Sequence, residues 1–490
     1  MNFAAFQLET GLAALVILLL ILDGSCKQSL HVAKGYAAGI VGLGILLILS
    51  FTYLKTPVVI PEALIQLDTM ALGFKRMFLA LGLGFFIINQ NWIARRRDNF
   101  ISYQSIFLLS LIGMMLSSSV NNLLMMFLTM EIVAVSFYVM VGYNKKTEQS
   151  LEAGVKYLIM AGLASAIMIM GIAFVYGISG TLDFNKLAEF TPDENSRNAY
   201  WIGIILIVAG LGFKISAFPF QYWAPDVYQG ASAPTTGMLA SASKAVGFIL
   251  LARFACAAMP LGSPIISTLW AILAVSSILY GNLCAIPQRD IKRLIAFSGI
   301  ANAGYMMLAF SVGGTMAMSA MFYYLIVYVF SILGAFLAIS LIETEVGSTD
   351  MDALSCLPQR APFAGFLLAV SMASMAGIPP LAGFMGKFLL LKALFIRGMT
   401  DTPILILAIV ALIGIIISIY YYFLVIRCIY WPANQAYLLR TSGSKISLTS
   451  ALYLAGVISL IMMILPGIYP GLLLDGTEWM ASTLGELLQH

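Results

Sequence analysis

The chain has 490 residues, 61% of them hydrophobic, and only 10% are charged (26 Lys plus Arg, 22 Asp plus Glu). Soluble domains carry about 25% charged residues because their surfaces need them. A soluble enzyme of this length is therefore excluded, and so is a disordered chain, which is polar. A net charge of +4 is no basic footprint for nucleic acid. What remains is a polytopic membrane protein.

A membrane-crossing helix needs about 20 apolar residues. In chain order, such runs lie at 8–22, 36–54, 71–91, 101–118, 120–143, 156–177 and 200–222. They continue at 233–259, 268–286, 294–310, 315–342, 363–396, 404–428 and 448–465, fourteen in all. The runs are continuously apolar, whereas barrel strands alternate, so the class is all-α. No Lys or Arg precedes the first run and Glu9 sits at its edge. A cleavable signal wants a basic start, so a retained first helix is expected. What lies between the runs is enough only for short loops.

Loop charges give an orientation. Alternate loops collect Lys27, Lys34, Arg95, Arg96, Arg97, Lys145, Lys146, Arg289, Lys292, Arg293, Arg360, Arg427, Arg440 and Lys445. The opposite loops carry Lys55, Lys75, Arg76, Lys186, Arg197 and Arg397. The positive-inside rule then places both termini on the outer, periplasmic side of a bacterial or archaeal cell membrane. The stretch 343–352 is acidic on the inward side, a mild exception to that pattern.

Cys26, Cys256, Cys284, Cys356 and Cys428 are scattered without a CxxC, and His31 and His490 lie outside the apolar runs. This is no framework for an iron–sulfur cluster, a zinc site or paired haem ligands. No metal site and no cofactor of the chain's own are expected, and no side chain reads as a catalytic group. The 27 methionines read as packing residues.

The informative charges are those left inside the apolar runs, because an ionisable group at mid-membrane is costly and marks ion or proton paths. Glu131 is the only charge between Val120 and Tyr143. Lys214 precedes a proline-containing stretch, Lys244 follows Ser241-Ala-Ser, and Lys387 lies deep in the run 363–396. Lys156 follows Glu148 and Glu152 at intervals of four, which reads equally as a relay group or as a solvated helix end. Arg253 and Lys392 read as snorkelling side chains. Burial lowers a lysine's proton affinity and a nearby carboxylate restores it, so a row of lysines with one acid suits proton transfer. Hard cations want oxygen ligands instead.

Two runs read as broken helices. Pro219 lies within the seventh and Pro225 just after it, and Pro379 and Pro380 interrupt the twelfth. The latter would be about 51 Å long as one straight helix. Breaks at matching places in two halves point to inverted repeats around a mid-membrane path. Two five-helix units, helices 4–8 (101–260) and 9–13 (261–428), place each break in a fourth helix. Helices 1–3 (1–100) precede them, and helix 14 with a tail (429–490) follows.

The stretch Gly212-Phe-Lys-Ile-Ser-Ala-Phe-Pro-Phe-Gln-Tyr-Trp-Ala-Pro-Asp-Val-Tyr-Gln-Gly, followed by Ser241-Ala-Ser-Lys, resembles the antiporter-like membrane subunits of respiratory complex I (NADH-quinone oxidoreductase), in the form of subunit N. Further matches are Glu152-Ala-Gly-Val-Lys-Tyr, Arg289-Asp-Ile-Lys-Arg-Leu-Ile-Ala-Phe-Ser-Gly-Ile and Gly377-Ile-Pro-Pro-Leu-Ala-Gly-Phe-Met-Gly-Lys-Phe. The resemblance implies a fourteen-helix antiporter-like fold and a proton-translocating subunit. Glu131 and Lys214 would form the charge pair of the first half, Lys244 the central relay and Lys387 the terminal one, with Lys156 also on the path. It implies sister membrane subunits as partners, and NADH, flavin, iron–sulfur clusters and quinone on other subunits. Relatives often carry His where this chain has Gln221 and Asn302; neither amide titrates near neutral pH, so waters would bridge there. The alternatives are a cation/proton antiporter subunit of the Mrp type, or the equivalent subunit of a complex fed by reduced F420, ferredoxin or hydrogenase.

Overall fold

The computed structural model describes residues 6–25, 28–52, 64–94, 100–259, 261, 263–431, 446 and 448–488. Lys27, Lys55, Arg95, Arg96, Arg97, Arg440, Lys445, Cys26 and His490 lie outside the described residues, as do the side chains of His31 and Cys356.

The described residues form helices: α1 (Gln7–Ser25), α2 (Gln28–Thr52), α3 (Thr69–Ala94), α4 (Phe100–Ser118), α5 (Leu123–Val141), α6 (Glu148–Ser179), α7 (Phe184–Ala188), α8 (Arg197–Ile215) and α9 (Trp223–Gly230). Next come α10 (Ala233–Met238), a π-turn (Leu239–Ser243), α11 (Lys244–Ala258), α12 (Pro264–Ala285), α13 (Ile291–Val312) and α14 (Gly314–Val346). A 3-10 turn (Met351–Cys356) leads into α15 (Leu357–Arg360), α16 (Pro362–Ala376), α17 (Ala382–Gly398) and α18 (Thr402–Tyr430). We number the last two helices α19 (Ser450–Ile468) and α20 (Gly471–Leu488).

Twelve of these are long and apolar enough to cross a membrane, and the apolar parts of α1 and α16 are shorter. Each of the fourteen apolar runs thus contains a helix. Burial separates centre from rim. The continuous span Ala233–Ala258 and α14 from Ala317 to Ile342 are buried throughout, whereas α6 and α18 keep only about a third of their spanning residues inside. The outward faces of α6 and α18 carry Ile159, Leu163, Ile409 and Ile416, large apolar side chains left uncovered, as a lipid-facing surface allows.

Local chemistry sets the helix ends. Asn122 caps α5 by accepting from the Leu124 N–H at 2.8 Å, and Asp290 caps α13 by accepting from Arg293 N–H at 2.9 Å. Such caps satisfy donors that the first turn leaves free. Both expected breaks are present. The seventh span stops at Ile215 and resumes as α9; the run 363–396 splits into α16 and α17. Each first half ends on a left-handed residue, Ser216 (φ 59°) and Gly377 (φ 86°). The residue after each turns back on the helix: Ala217 N–H donates to Gly212 O at 2.8 Å, and Ile378 N–H to Ala373 O at 3.2 Å.

One element was not expected. The tail forms α20, which packs along α14 and against the ends of α3 and α11. Thr69 Oγ1 donates to Trp479 O at 3.1 Å, and the hydroxyls of Ser319 and Thr477 are 3.1 Å apart. Its Asp475, Thr477, Glu478 and Ser482 interrupt the apolar pattern, which is why the sequence shows no fifteenth span.

Candidate functional site

Three lysines are buried in the centre of the bundle, with relative exposures of 4% (Lys214), 1% (Lys244) and 3% (Lys387). Each sits where a helix is irregular. Lys214 is in the last turn of α8, two residues before the left-handed Ser216. Its neighbourhood is walled by rings: Phe213 lies 5.2 Å from Trp223 and Tyr157 lies 5.0 Å from Trp223, centroid to centroid. Trp223 Nε1 donates to Phe213 O at 3.0 Å, one of the carbonyls released by the break. Lys244 follows the π-turn directly. Its Nζ donates to Gly299 O at 2.7 Å and lies 6.0 Å from the centre of the Tyr328 ring. Lys387 is in the second turn of α17 and bridges the other break. Its Nζ donates to Met375 O at 2.7 Å and to Ala376 O at 3.2 Å, and it stands 5.2 Å over the Tyr305 ring. A cation at those carbonyls meets the negative end of α16.

Glu131, halfway along α5, is partly exposed and accepts a very short hydrogen bond from Ser165 Oγ. It lies within electrostatic reach of Lys214, Tyr138 and Tyr157. Among the described residues none of the three buried lysines has a carboxylate within ion-pair distance. Lys156 is different. Its side chain is 42% exposed and pairs with Glu152 at 2.7 Å and Asp226 at 3.1 Å. Arg293 reaches the other oxygen of Asp226 at 2.8 Å. The ladder of Glu152 and Lys156 on α6 therefore meets α9 and α13 at one end of the bundle, not in its centre.

Between Lys244 and Lys387 the structure places polar groups of which the sequence singled out only Asn302. Tyr324 OH donates to Asn302 Oδ1 at 2.9 Å, and Asn302 Nδ2 donates to Tyr422 OH at 3.1 Å. Asn282 Nδ2 donates to Tyr305 OH at 3.1 Å, and Tyr421 OH donates to Asn282 Oδ1 at 3.0 Å. All these residues are buried. In the first half, Gln221 is fully buried, and neither end of its amide meets a partner at normal hydrogen-bond geometry. The hydroxyls of Ser216, Tyr228 and Tyr328 are buried and unpaired as well. Unsatisfied buried polar atoms are rare in proteins and call for water or function.

Several other charges lie elsewhere than expected. Arg253 does not snorkel: it is 2% exposed, meets Asp68 at 2.8 Å and donates twice to Ser118 O, at 2.7 and 3.0 Å. Lys75 is no loop residue: it lies inside α3, fully buried, 2.7 Å from Glu9. Its position four residues into the run 71–91 was the available signal. Lys292 is also buried and pairs with Glu343 at 2.8 Å, while Arg360 meets Glu345 at 3.5 Å. Those two pairs account for part of the acidic inward stretch, since Glu343 and Glu345 belong to the last turn of α14. Lys392 is exposed on α17, as a snorkelling residue is.

Comparisons with known proteins bear on this arrangement. Residues 120–418, which contain Glu131, Lys156, Lys214, Lys244 and Lys387, match the family described as NADH:quinone oxidoreductase/Mrp antiporter, transmembrane. NADH-quinone oxidoreductase subunit N of Desulforamulus reducens is 34% identical over 472 residues, 96% of each chain. Subunit N of Heliobacterium modesticaldum is 32% identical over 487 residues, 99% of this chain and 100% of its own. Among solved structures, a chain of respiratory complex I from Thermus thermophilus superposes with a TM-score of 0.79 at 27% identity, covering 96% of this chain and 99% of its own. A chain of the Mrp complex from Dietzia sp. superposes with a TM-score of 0.84 at 18% identity, each chain covered completely. At that identity the likeness shows the fold alone, so sequence and not shape separates the two kinds of relative. The chain belongs to the NADH-quinone oxidoreductase subunit N family of antiporter-like, multi-pass membrane subunits.

Proposed function

We propose that protons move through the chain along Glu131, Lys214, Lys244 and Lys387, driven by electron transfer in other subunits of a complex I-type NADH-quinone oxidoreductase. The observation that carries this is the set of three buried lysines with no carboxylate at ion-pair distance among the described residues. Buried charges without partners are expensive. A lysine in that setting is ready to change protonation when a neighbouring charge or water chain changes. The tyrosine and asparagine hydroxyls and amides between Lys244 and Lys387 supply hydrogen-bonding positions at which waters connect. Lys156 belongs to the path only at its end, where Asp226 and Glu152 hold it near the surface.

The matching breaks after Ser216 and Gly377 support two inverted units at 101–260 and 261–428, preceded by 1–100 and followed by 429–490. The loop charges support an orientation with both termini outside. In this reading NADH, flavin, iron–sulfur clusters and quinone are handled by partner subunits. Identity of about a third to subunit N over nearly the whole chain favours it over an Mrp-type antiporter.

The test is purification in mild detergent followed by reconstitution. Co-purification with flavin and iron–sulfur subunits, and loss of proton pumping in Glu131→Ala and Lys214→Ala with the complex still assembled, are the expected results. A lone monomer with sodium-dependent transport, or full pumping in both variants, would overturn the reading.

A further inference from the structure

The axis described above is sealed along most of its length, which raises the question of where water reaches it. Every residue from Ala233 to Met259 is buried. One end of this span is closed by Arg253, fixed to Asp68 and the Ser118 carbonyl, with α20 packed over it. The other end opens on a cleft of about 320 Å³ between the loops at 144–149, 229–232 and 347–350.

At the floor of that cleft stands a charge pair. Glu343 Oε1 is 2.8 Å from Lys292 Nζ, and Glu343 Oε2 accepts from Ala233 N–H at 2.8 Å, at the start of α10. Lys292 Nζ also donates to Ala231 O at 2.8 Å. One turn inward, Thr236 Oγ1 donates to the carbonyls of Tyr228 and Ser232, both at 3.0 Å. The Tyr228 hydroxyl is buried without a hydrogen-bond partner, and so is the Tyr328 hydroxyl, within electrostatic reach of Tyr228. The Tyr328 ring then lies beneath Lys244 Nζ. From Ala233 to Lys244 the helix advances about 16 Å, the distance a route from the cleft has to cover.

We infer that the Glu343–Lys292 pair is the gate of a one-sided proton uptake route, running from the cleft past Thr236, Tyr228 and Tyr328 to Lys244. This rests on the relay reading above and adds the place where that relay meets water. Each hydroxyl takes a proton on its oxygen from a water on the cleft side and gives its own to the water on the Lys244 side. The last transfer converts the Lys244 amine to the ammonium; no electrons and no other bonds are involved. Glu343 holds the route shut while it is tied to Lys292 and Ala233 N–H, and opens it when that tie is released.

The experiment uses the whole complex in sealed vesicles, measuring protons pumped per electron transferred in Glu343→Gln, Tyr228→Phe and Lys244→Ala, with Glu345→Gln as a control on the same helix outside the cleft. Glutamine keeps an oxygen for Ala233 N–H, so the helix start stays capped. Glu343→Gln, which breaks the tie to Lys292 and leaves the gate open, is expected to lose net pumping through back-leak, and Tyr228→Phe to lose it through blockage, with Glu345→Gln unchanged. Normal pumping in both, alongside loss in Lys244→Ala, would overturn the route and leave the relay standing. Normal pumping in Lys244→Ala would overturn the relay itself. A second measurement needs no pumping: Thr236→Cys is expected to react with a water-soluble thiol reagent only from the side that bears Arg289 and Arg293. Labelling from the other side, or none, would overturn the route.

Discussion

Lys387 Nζ lies 2.7 Å from the carbonyl oxygen of Met375, twelve residues away across the break between α16 and α17. The lysine thus has two tasks: it offers a proton, and it satisfies backbone carbonyls that the left-handed Gly377 leaves outside the helical ladder. A helix end buried without partners is costly, and a freed carbonyl in a membrane needs a donor. Lys387→Met removes both tasks. We expect it to abolish pumping and to lower stability by about 1–3 kcal/mol, the cost of a buried polar group left unsatisfied. Thermal unfolding of the purified complex, read beside pumping, checks both.

Gly299 separates the relay from its packing. A Cβ built there comes 2.9 Å from Lys244 Nζ and 3.2 Å from Tyr328 OH, both mobile ends of side chains. Gly299→Ala is therefore expected to assemble and to displace Lys244 from its carbonyl, reducing pumping. Gly383→Ala puts a Cβ 1.8 Å from the Ser374 carbonyl oxygen, which is backbone and does not yield, so this variant is expected to fail in assembly. Complex yield by native gel separates the two outcomes.

Gln221 lies buried, and neither end of its amide makes a hydrogen bond of normal geometry. Gln221→His adds a group that titrates near neutral pH without emptying the site, and pumping is expected to persist. Gln221→Leu removes the polar atoms that hold water there, and pumping is expected to fall with assembly intact. Equal pumping in the leucine variant would remove this stretch from the path.

Arg253 and Arg360 form ion pairs of different worth. Arg253 is buried, and removing it leaves Asp68 as an uncompensated charge, which costs about 3–5 kcal/mol. Arg253→Ala is expected to reduce assembly strongly. The Arg360–Glu345 contact is longer, 3.5 Å, and glutamine keeps an oxygen facing Arg360, so Glu345→Gln is expected to cost far less yield than Arg253→Ala. Urea or heat titration of the two variants checks the contrast.

The spans were legible because a bilayer requires long apolar runs, and each of the fourteen runs contains a helix. The two breaks were legible for the same reason: the run 363–396 is too long for one straight helix, and Pro379 and Pro380 mark where it must give. Glu131, Lys214, Lys244 and Lys387 were legible as charges in apolar surroundings. What the sequence hid was pairing. Lys75 with Glu9, and Arg253 with Asp68, join residues far apart in the chain, and no local spacing announces them. Apart from Asn302, the tyrosines and Asn282 between Lys244 and Lys387 were hidden differently: such residues are common in apolar helices, and only their convergence gives them meaning. Lys156 read equally as relay or solvated end, and its exposure beside Asp226 favours the end. α20 was missed because its polar residues break the apolar count while its apolar face still packs.

That last helix has a consequence for how the protein is made. The facing ends of α3, α11 and α14 are covered by residues 471–488, which follow all three helices in the chain and fold against them afterwards. Until those eighteen residues fold into place, Thr69 and Ser319 lack their partners and that side of the bundle is unplugged. A chain without this helix is thus a leak in an energised membrane, and its docking is the step that closes that side of the bundle.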